Sequence, residues 1–240
     1  MIMGIRPIIL VGIALLLLAC GQPQIATPRP PAVSAAVVQT LPAVQASWLT
    51  SSTCRPPCWE GITPGVTTIT ATVAILQAHP LLLYIPGPPG FTPRDGEHQF
   101  DWAWPAPSSR GAYAYARKSA VTIEYIDLNL DASVSFATIQ TQFGAPSHAL
   151  LVVIPDPHSR DVTWKLDLIF VDQGMILTAL SPTPPRLDTA AFDQVLLTYP
   201  DKAQFESLLY HTVWYPWEEG APLTTYCDRT NNAEPCLLFR

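Results

Sequence analysis

Near its start the chain carries an uncharged apolar run, Ile8 to Ala19, that stops after 12 residues at a cysteine. A membrane-spanning helix needs ~20 apolar residues to cross ~30 Å of hydrocarbon, so this run is too short to span. Its length suits the core of a secretory signal, which is ~7–15 residues. Arg6 supplies the basic residue ahead of it. A chain with such a leader is expected to fold outside the cytosol, where thiols oxidise. That compartment limits how the later cysteines can be used.

The run closes on Leu17-Leu18-Ala19-Cys20-Gly21. This segment resembles the lipobox of bacterial lipoproteins, a Leu and one or two small or apolar residues before Cys. The resemblance implies that 1–19 is a signal peptide, that cleavage falls before Cys20, and that Cys20 carries diacylglycerol. Each buried lipid methylene contributes ~0.8 kcal/mol, so two or three chains hold firmly. The implied location is a cell membrane, lipid-anchored, facing the extracytoplasmic side. Residues 20–46 are rich in Pro, Ala, Gln and Val without apolar periodicity. They read as an extended tether. A globular domain is expected over 47–240, with order starting near Trp48.

With Cys20 assigned to lipid, four of the five cysteines remain: Cys54, Cys58, Cys227 and Cys236. They fall as two local pairs, CRPPC and CDRTNNAEPC, and an even set in an oxidising setting reads as disulfides. Three connectivities are open. The local pairing Cys54–Cys58 and Cys227–Cys236 is favoured; the alternative cross-links the two ends of the domain. A tetrathiolate zinc site is a poorer reading outside the cytosol. The spacing CxxxC also differs from the redox CxxC.

Hydrophobic residues make up 48%, enough for a packed core. Removing 1–19 takes away one of 13 Lys+Arg and none of 19 Asp+Glu, moving the net charge from −6 to about −7. Nucleic-acid binding needs clustered Lys/Arg, and no basic cluster is present, so nucleic acid is excluded as a partner.

Thr67 to His79 predicts a helix capped by Thr67 or Thr68, with Ile69, Val73 and Leu76 on one face and Pro80 ending it. Gly61 and Gly65 supply turn positions. His98 to Trp104 predicts a strand with Phe100, Trp102 and Trp104 on one side. Ala112–Ala116 and Ala120–Leu130 continue as strands, with Val121, Ile123 and Tyr125 sharing a side. Asp131 to Pro146 predicts a second helix, capped by Ser133, with Phe136, Ile139 and Phe143 inward and Gly144 at its end. Ala149–Ile154, Val162–Val171 and Met175–Leu180 read as strands, the last two joined at Asp172-Gln173-Gly174. Leu187 to Tyr210 is expected to hold one or two short helices, with Pro200-Asp201 opening the last. The fold class expected is α+β: antiparallel sheet with helices packed on one face. The repeated helix-then-meander pattern suggests two related subdomains, 47–127 and 128–240.

PCWEGITPGVTT (Pro57 to Thr68) and, later, TIQTQFGAPS (Thr138 to Ser147) resemble a group of bacterial envelope lipoproteins that share a PCWxGITPGxT start and a later helix ending FGxP. The group has no established activity, so the likeness implies architecture alone. A more distant likeness is to small outer-membrane-assembly lipoproteins, which place comparable turns before and after a helix. Function carried on so short a match would be analogy.

No Gly-x-Ser-x-Gly elbow, phosphate loop, HExxH or EF-hand loop occurs. Asp156, His158 and Asp161 fit a polar hairpin loop better than a metal or acid–base cluster. His98, beside Asp95, Glu97 and Asp101, fits the solvated start of a strand. Glu218 and Glu219 are adjacent, a poor arrangement for a glycosidase pair, which needs ~5–9.5 Å between carboxyls. Trp102 and Trp104 read as core. Trp214, Tyr215 and Trp217, set among Pro and Gly, are the candidate ligand platform, since rigid aromatics dominate binding sites. No cofactor or metal is indicated. The expectation is a non-enzymatic, membrane-tethered binding or envelope-structure module for an envelope protein or glycan. The alternative is a hydrolase acting on envelope polysaccharide or peptide.

Overall fold

A computed structural model describes residues 42–85, 97–105, 108, 110–117, 120–159, 161–209 and 214–227. The expected signal peptide, Cys20, nearly all of the tether, and Cys236 lie outside these residues. Among the described residues, no helix is long and apolar enough to cross a membrane.

The strands are β1 (Leu83–Ile85), β2 (Glu97–Ala103), β3 (Gly111–Arg117), β4 (Tyr125–Ser135), β5 (His148–Pro155), β6 (Val162–Phe170), β7 (Met175–Ser181), β8 (Ala191–Thr198) and β9 (Tyr215–Pro216). They form one antiparallel sheet in the order β1-β2-β3-β4-β8-β7-β6-β5-β9. The helices are α1 (Ala43–Thr50), α2 (Ile69–Ala78), α3 (Phe136–Phe143) and α4 (Lys202–Leu208). The fold is α+β.

The strand order resolves into two four-strand meanders, β1 to β4 and β5 to β8, joined edge to edge where β4 pairs with β8. Each meander is entered by a helix. Thr68 caps α2 by accepting from the Ala71 N–H, and Ser135 caps α3 by accepting from the Thr138 N–H. Each cap satisfies one of the amides that a helix start leaves without a partner. Ser135 is also the last residue of β4, so strand passes into helix with no linker. The cap is therefore two residues later than the expected Ser133, because β4 continues its pairing through Ser135. The boundary at 127/128 falls inside β4.

The core fills one face of the sheet. Inward residues include Ala112, Ala114 and Ala116 of β3, Ile126 and Leu128 of β4, Leu166 and Leu168 of β6, Leu177 of β7, and Val195 and Leu197 of β8. Small alanines on β3 leave room for large rings. Trp59 stacks on Trp102 with centroids 5.0 Å apart and meets Trp104 edge-on at 6.0 Å. At ~25 cal/mol per Å² over ~200 Å², each such ring brings ~5 kcal/mol of gross hydrophobic transfer. Trp59 is held by a two-residue reversal, Glu60 and Gly61, both at positive φ, with paired backbone bonds between Trp59 and Ile62.

Order begins earlier than the sequence suggests. α1 starts at Ala43, because Val44 and Trp48, one turn apart, both enter the core. Gln45 exchanges hydrogen bonds with Asp131, its Nε2 donating to Oδ2 at 2.6 Å and its Oε1 accepting from the Asp131 N–H at 2.8 Å. On α2 the buried face is centred on Thr72 and Leu76, and Ile69 packs at its margin. Val121 is exposed rather than sharing a side with Ile123, because 121–123 precede β4 and bond to the 65–69 segment.

The largest departure is β8. Leu187 to Thr198 contains no helix; Ala191–Thr198 is a central strand. Phe192 and Val195, three residues apart, imitate a helical face. Both reach the core because the register slips between Asn129/Gln194 and Val134/Phe192. Asp201 opens α4 as expected, capping it with its carboxylate, which accepts from the Ala203 and Gln204 N–H groups. α4 is also the exception to helices on one face: Phe205 and Leu209 pack on Ile169 and Ile176, on the side opposite the main core.

Candidate functional site

Strand alternation sends the remaining side chains to the second face. On β2 these are Gln99 and Asp101, on β3 Tyr113 and Tyr115, on β4 Tyr125 and Asp127, on β8 Gln194, on β7 Thr178, and on β6 Lys165 and Asp167. Register aligns Asp101, Tyr113 and Asp127 in one cross-strand row, and Gln99, Tyr115 and Tyr125 in the next. A third row holds Gln194, Thr178 and Asp167. Among the described residues, α4 is the helix that packs on this face, at its β6–β7 end.

Asp127 is 4% exposed. The Tyr113 hydroxyl donates to its Oδ2 at 3.0 Å, and Gln194 Nε2 donates to Oδ1 at 3.1 Å and Oδ2 at 2.9 Å. Burial pushes the carboxyl above the ordinary Asp range; the Tyr113 and Gln194 bonds and the more distant Lys165 charge pull it partly back. The Tyr113 hydroxyl is pushed far up, first by burial and then by the Asp127 charge, so it stays a donor. Asp167 is fully buried. Thr178 Oγ1 donates to its Oδ1 at 2.6 Å, and the Lys165 ammonium lies 2.9 Å from Oδ2. Tyr115 and Tyr125 stack at 4.7 Å, and Tyr113 meets Tyr125 edge-on at 6.0 Å. Asp127 and Asp167 are thus held by neighbours on adjacent strands, which makes a rigid surface of rings and hydrogen-bonding groups.

Asp127 and Asp167 are separated by β8 and β7. Three strand steps of ~4.8 Å place them ~14 Å apart, beyond the ~5–9.5 Å of a carboxylate pair that cleaves glycosides. The arrangement can stack, accept and donate.

The residues singled out from the sequence are dispersed. Trp214 packs on the second face against Phe205 and His148, with centroids 6.0 and 4.8 Å away. Tyr215 and Trp217 turn to the main core, where Trp217 stacks on Tyr226 at 5.4 Å and tilts against Phe136 at 5.8 Å. The alternation of β9 therefore divides the expected platform, and Trp214, Tyr215 and Trp217 share no surface. Trp102 and Trp104 are core. Cys54 and Cys58 form a disulfide. Cys227 is also disulfide-bonded, and Cys236, its expected partner, lies outside the described residues. Asp156 and Asp161 both accept from the Ser159 hydroxyl in an exposed hairpin turn. Glu218 and Glu219 are exposed. Asp95 and the His98 side chain lie outside the described residues. Among the described residues, no group of three or more His, Cys, Asp or Glu could hold a metal ion.

The second-face residues were not singled out from the sequence. Their signal was an inverted alternation: in Ala112-Tyr113-Ala114-Tyr115-Ala116 the small residues point inward and the rings outward. Comparison with known proteins finds no family model, curated protein or solved structure that matches this chain.

Proposed function

We propose that the protein is a lipid-anchored, extracytoplasmic binding module without catalytic activity, and that it engages its partner through the second face of the sheet. The lipobox-like segment ending at Cys20 and the Pro-rich stretch after it support the anchor and the stand-off. The observation that carries the binding assignment is the Tyr113–Tyr115–Tyr125 cluster, half-buried and braced by Asp127 and Gln194. A surface kept only for solubility has no need of three mutually packed rings over a buried carboxylate. Tyr offers large rigid contact area at low entropic cost, with two χ angles to fix.

The test is cross-linking capture from native envelope by the full-length lipidated chain, compared with Tyr115→Ala and Tyr125→Ala variants. The expected result is a partner captured by the wild type and lost from both variants. Identical capture profiles overturn the assignment to this face. Incorporation of labelled fatty acid, abolished by Cys20→Ser, tests the anchor separately.

A further inference from the structure

Among the described residues, the charges on the second face do not balance. Asp101, Asp127 and Asp167 supply three carboxylates, and Lys165 the ammonium that meets Asp167 at 2.9 Å. Arg117 is committed to Glu124 at 3.3 Å, and Arg110 to Asp193 at 2.7 Å. Among the described residues, Asp101 and Asp127 have no Lys or Arg within ion-pair distance. Asp101 has the Gln99 amide, which donates to its Oδ1 at 2.8 Å, and Asp127 has Gln194 and Tyr113. Among the described residues, Asp101 is compensated by the Gln99 dipole, and Asp127 by the Tyr113 and Gln194 dipoles with only the more distant Lys165 charge. Asp101 and Asp127 occupy one cross-strand row with Tyr113 between them, and the stacked Tyr115–Tyr125 pair fills the next row. Strand spacing puts the two acidic positions ~10 Å apart, the width of one side chain laid over Tyr113.

Aromatic faces are negative, so rings beside carboxylates that lack a directly paired cation among the described residues attract cations. Guanidinium suits this ground better than ammonium. It is planar, stacks on a ring, is weakly hydrated, and donates along its edge to a carboxylate. A broad pleated face bearing several rings also suits a protein surface. An anionic lipid surface would be repelled by the same carboxylates.

We propose that Tyr113, Tyr115 and Tyr125, with Asp101 and Asp127, form the docking site for an arginine side chain of a partner protein. This rests on the reading of the second face as the binding surface and names the chemistry it selects. Asp127 acts as a positioning residue, orienting the Tyr113 hydroxyl from below, and Asp101 receives the guanidinium from the rim.

The experiment titrates the full-length lipidated chain, in detergent micelles, with two acetylated peptides of equal length and charge, one built on Arg and one on Lys. The Arg peptide is expected to bind at least threefold tighter. Asp101→Asn and Tyr115→Ala should each weaken it tenfold or more. Asp188→Asn makes the same charge change on the exposed loop between β7 and β8, and should shift binding less than twofold. Equal affinities for the two peptides, or equal losses in Asp101→Asn and Asp188→Asn, would show attraction to net charge alone and overturn the proposal. Capture of a native partner that depends on Tyr115 but survives Asp101→Asn defeats the arginine assignment while leaving the face as the binding surface. Capture indifferent to both residues defeats both.

Discussion

The two faces of this sheet solve opposite problems with the same strands. On β3 the inward positions are alanines, and the rings of Trp59 and Trp102 fill the space above them. The outward positions are tyrosines packed on one another and on Asp127. One face spends its aromatic area on removing rings from water. The other keeps rings at the surface and uses hydrogen bonds between strands to hold them still. Burial measures importance on the first face; rigidity without burial measures it on the second.

Substitutions should separate the two faces by size of effect. Trp59→Ala is expected to cost ~3–5 kcal/mol, since it empties the centre of the ring cluster. Denaturant unfolding checks this, and a loss under ~1 kcal/mol would remove the distinction. Lys165→Met is next, at ~2–4 kcal/mol, the lower end reflecting a side chain one-third exposed. It strands the buried Asp167 carboxylate, so the double variant Lys165→Met/Asp167→Leu should recover most of the loss. Failure to recover would mean that Lys165 works through its packing rather than its charge. Tyr115→Ala should cost only ~1 kcal/mol, the value of one half-buried aromatic contact. A cost near that of Trp59→Ala would make the second face a core in disguise.

The smallest effect is a slope rather than a level. Asp127 has a folded pKa above its unfolded value, so its contribution is intact at acid pH, where both states hold the proton. It is lost as the pH rises through the unfolded value of about 3.9 and then through the raised folded value. Asp127→Asn cannot ionise and should lack that loss. Stability of the wild type relative to Asp127→Asn should therefore fall as pH rises through this window and level off above it. Denaturation midpoints across pH 3 to 7 read it, and parallel profiles would place Asp127 in an ordinary aqueous environment.

Local signals survived into the structure where local chemistry decides conformation. Thr68 caps α2, Asp201 caps α4, and Gly144 and Gly174 take the positive φ their turns require. At Gly174 a Cβ would run into the Thr198 carbonyl oxygen, so the β6–β7 reversal leaves room for no other residue. The errors arose where distant partners decide. α1 was hidden in a Pro-rich stretch because its stability comes from Trp48 in the core and Gln45 on Asp131. Of the one or two short helices expected over Leu187 to Tyr210, α4 is the one among the described residues; β8 precedes it, where a slip in pairing lets residues three apart face the same way. The candidate platform at Trp214–Trp217 is divided between the two faces for the simplest reason: two-residue periodicity separates neighbours in a strand. The second face was legible in principle, since Tyr alternating with Ala is a pattern, but its meaning depends on which parity is buried, and only assembly of the sheet settles that.

The junction of the two meanders has a consequence for how the molecule is built. Hairpins such as β6–β7 pair residues close in sequence, but the β4–β8 seam joins Tyr125 to Thr198 across the whole second meander. Closing so long a loop costs chain entropy before any pairing is gained, so the seam should form late. A chain made from its N-terminus completes β4 well before β8 exists. Until then β4, paired with β3 on one side, presents its other side as a long, half-apolar edge, a template for pairing with another copy. The direct passage from β4 into α3 limits that risk, because the helix caps the strand's end while its proper neighbour is still being made.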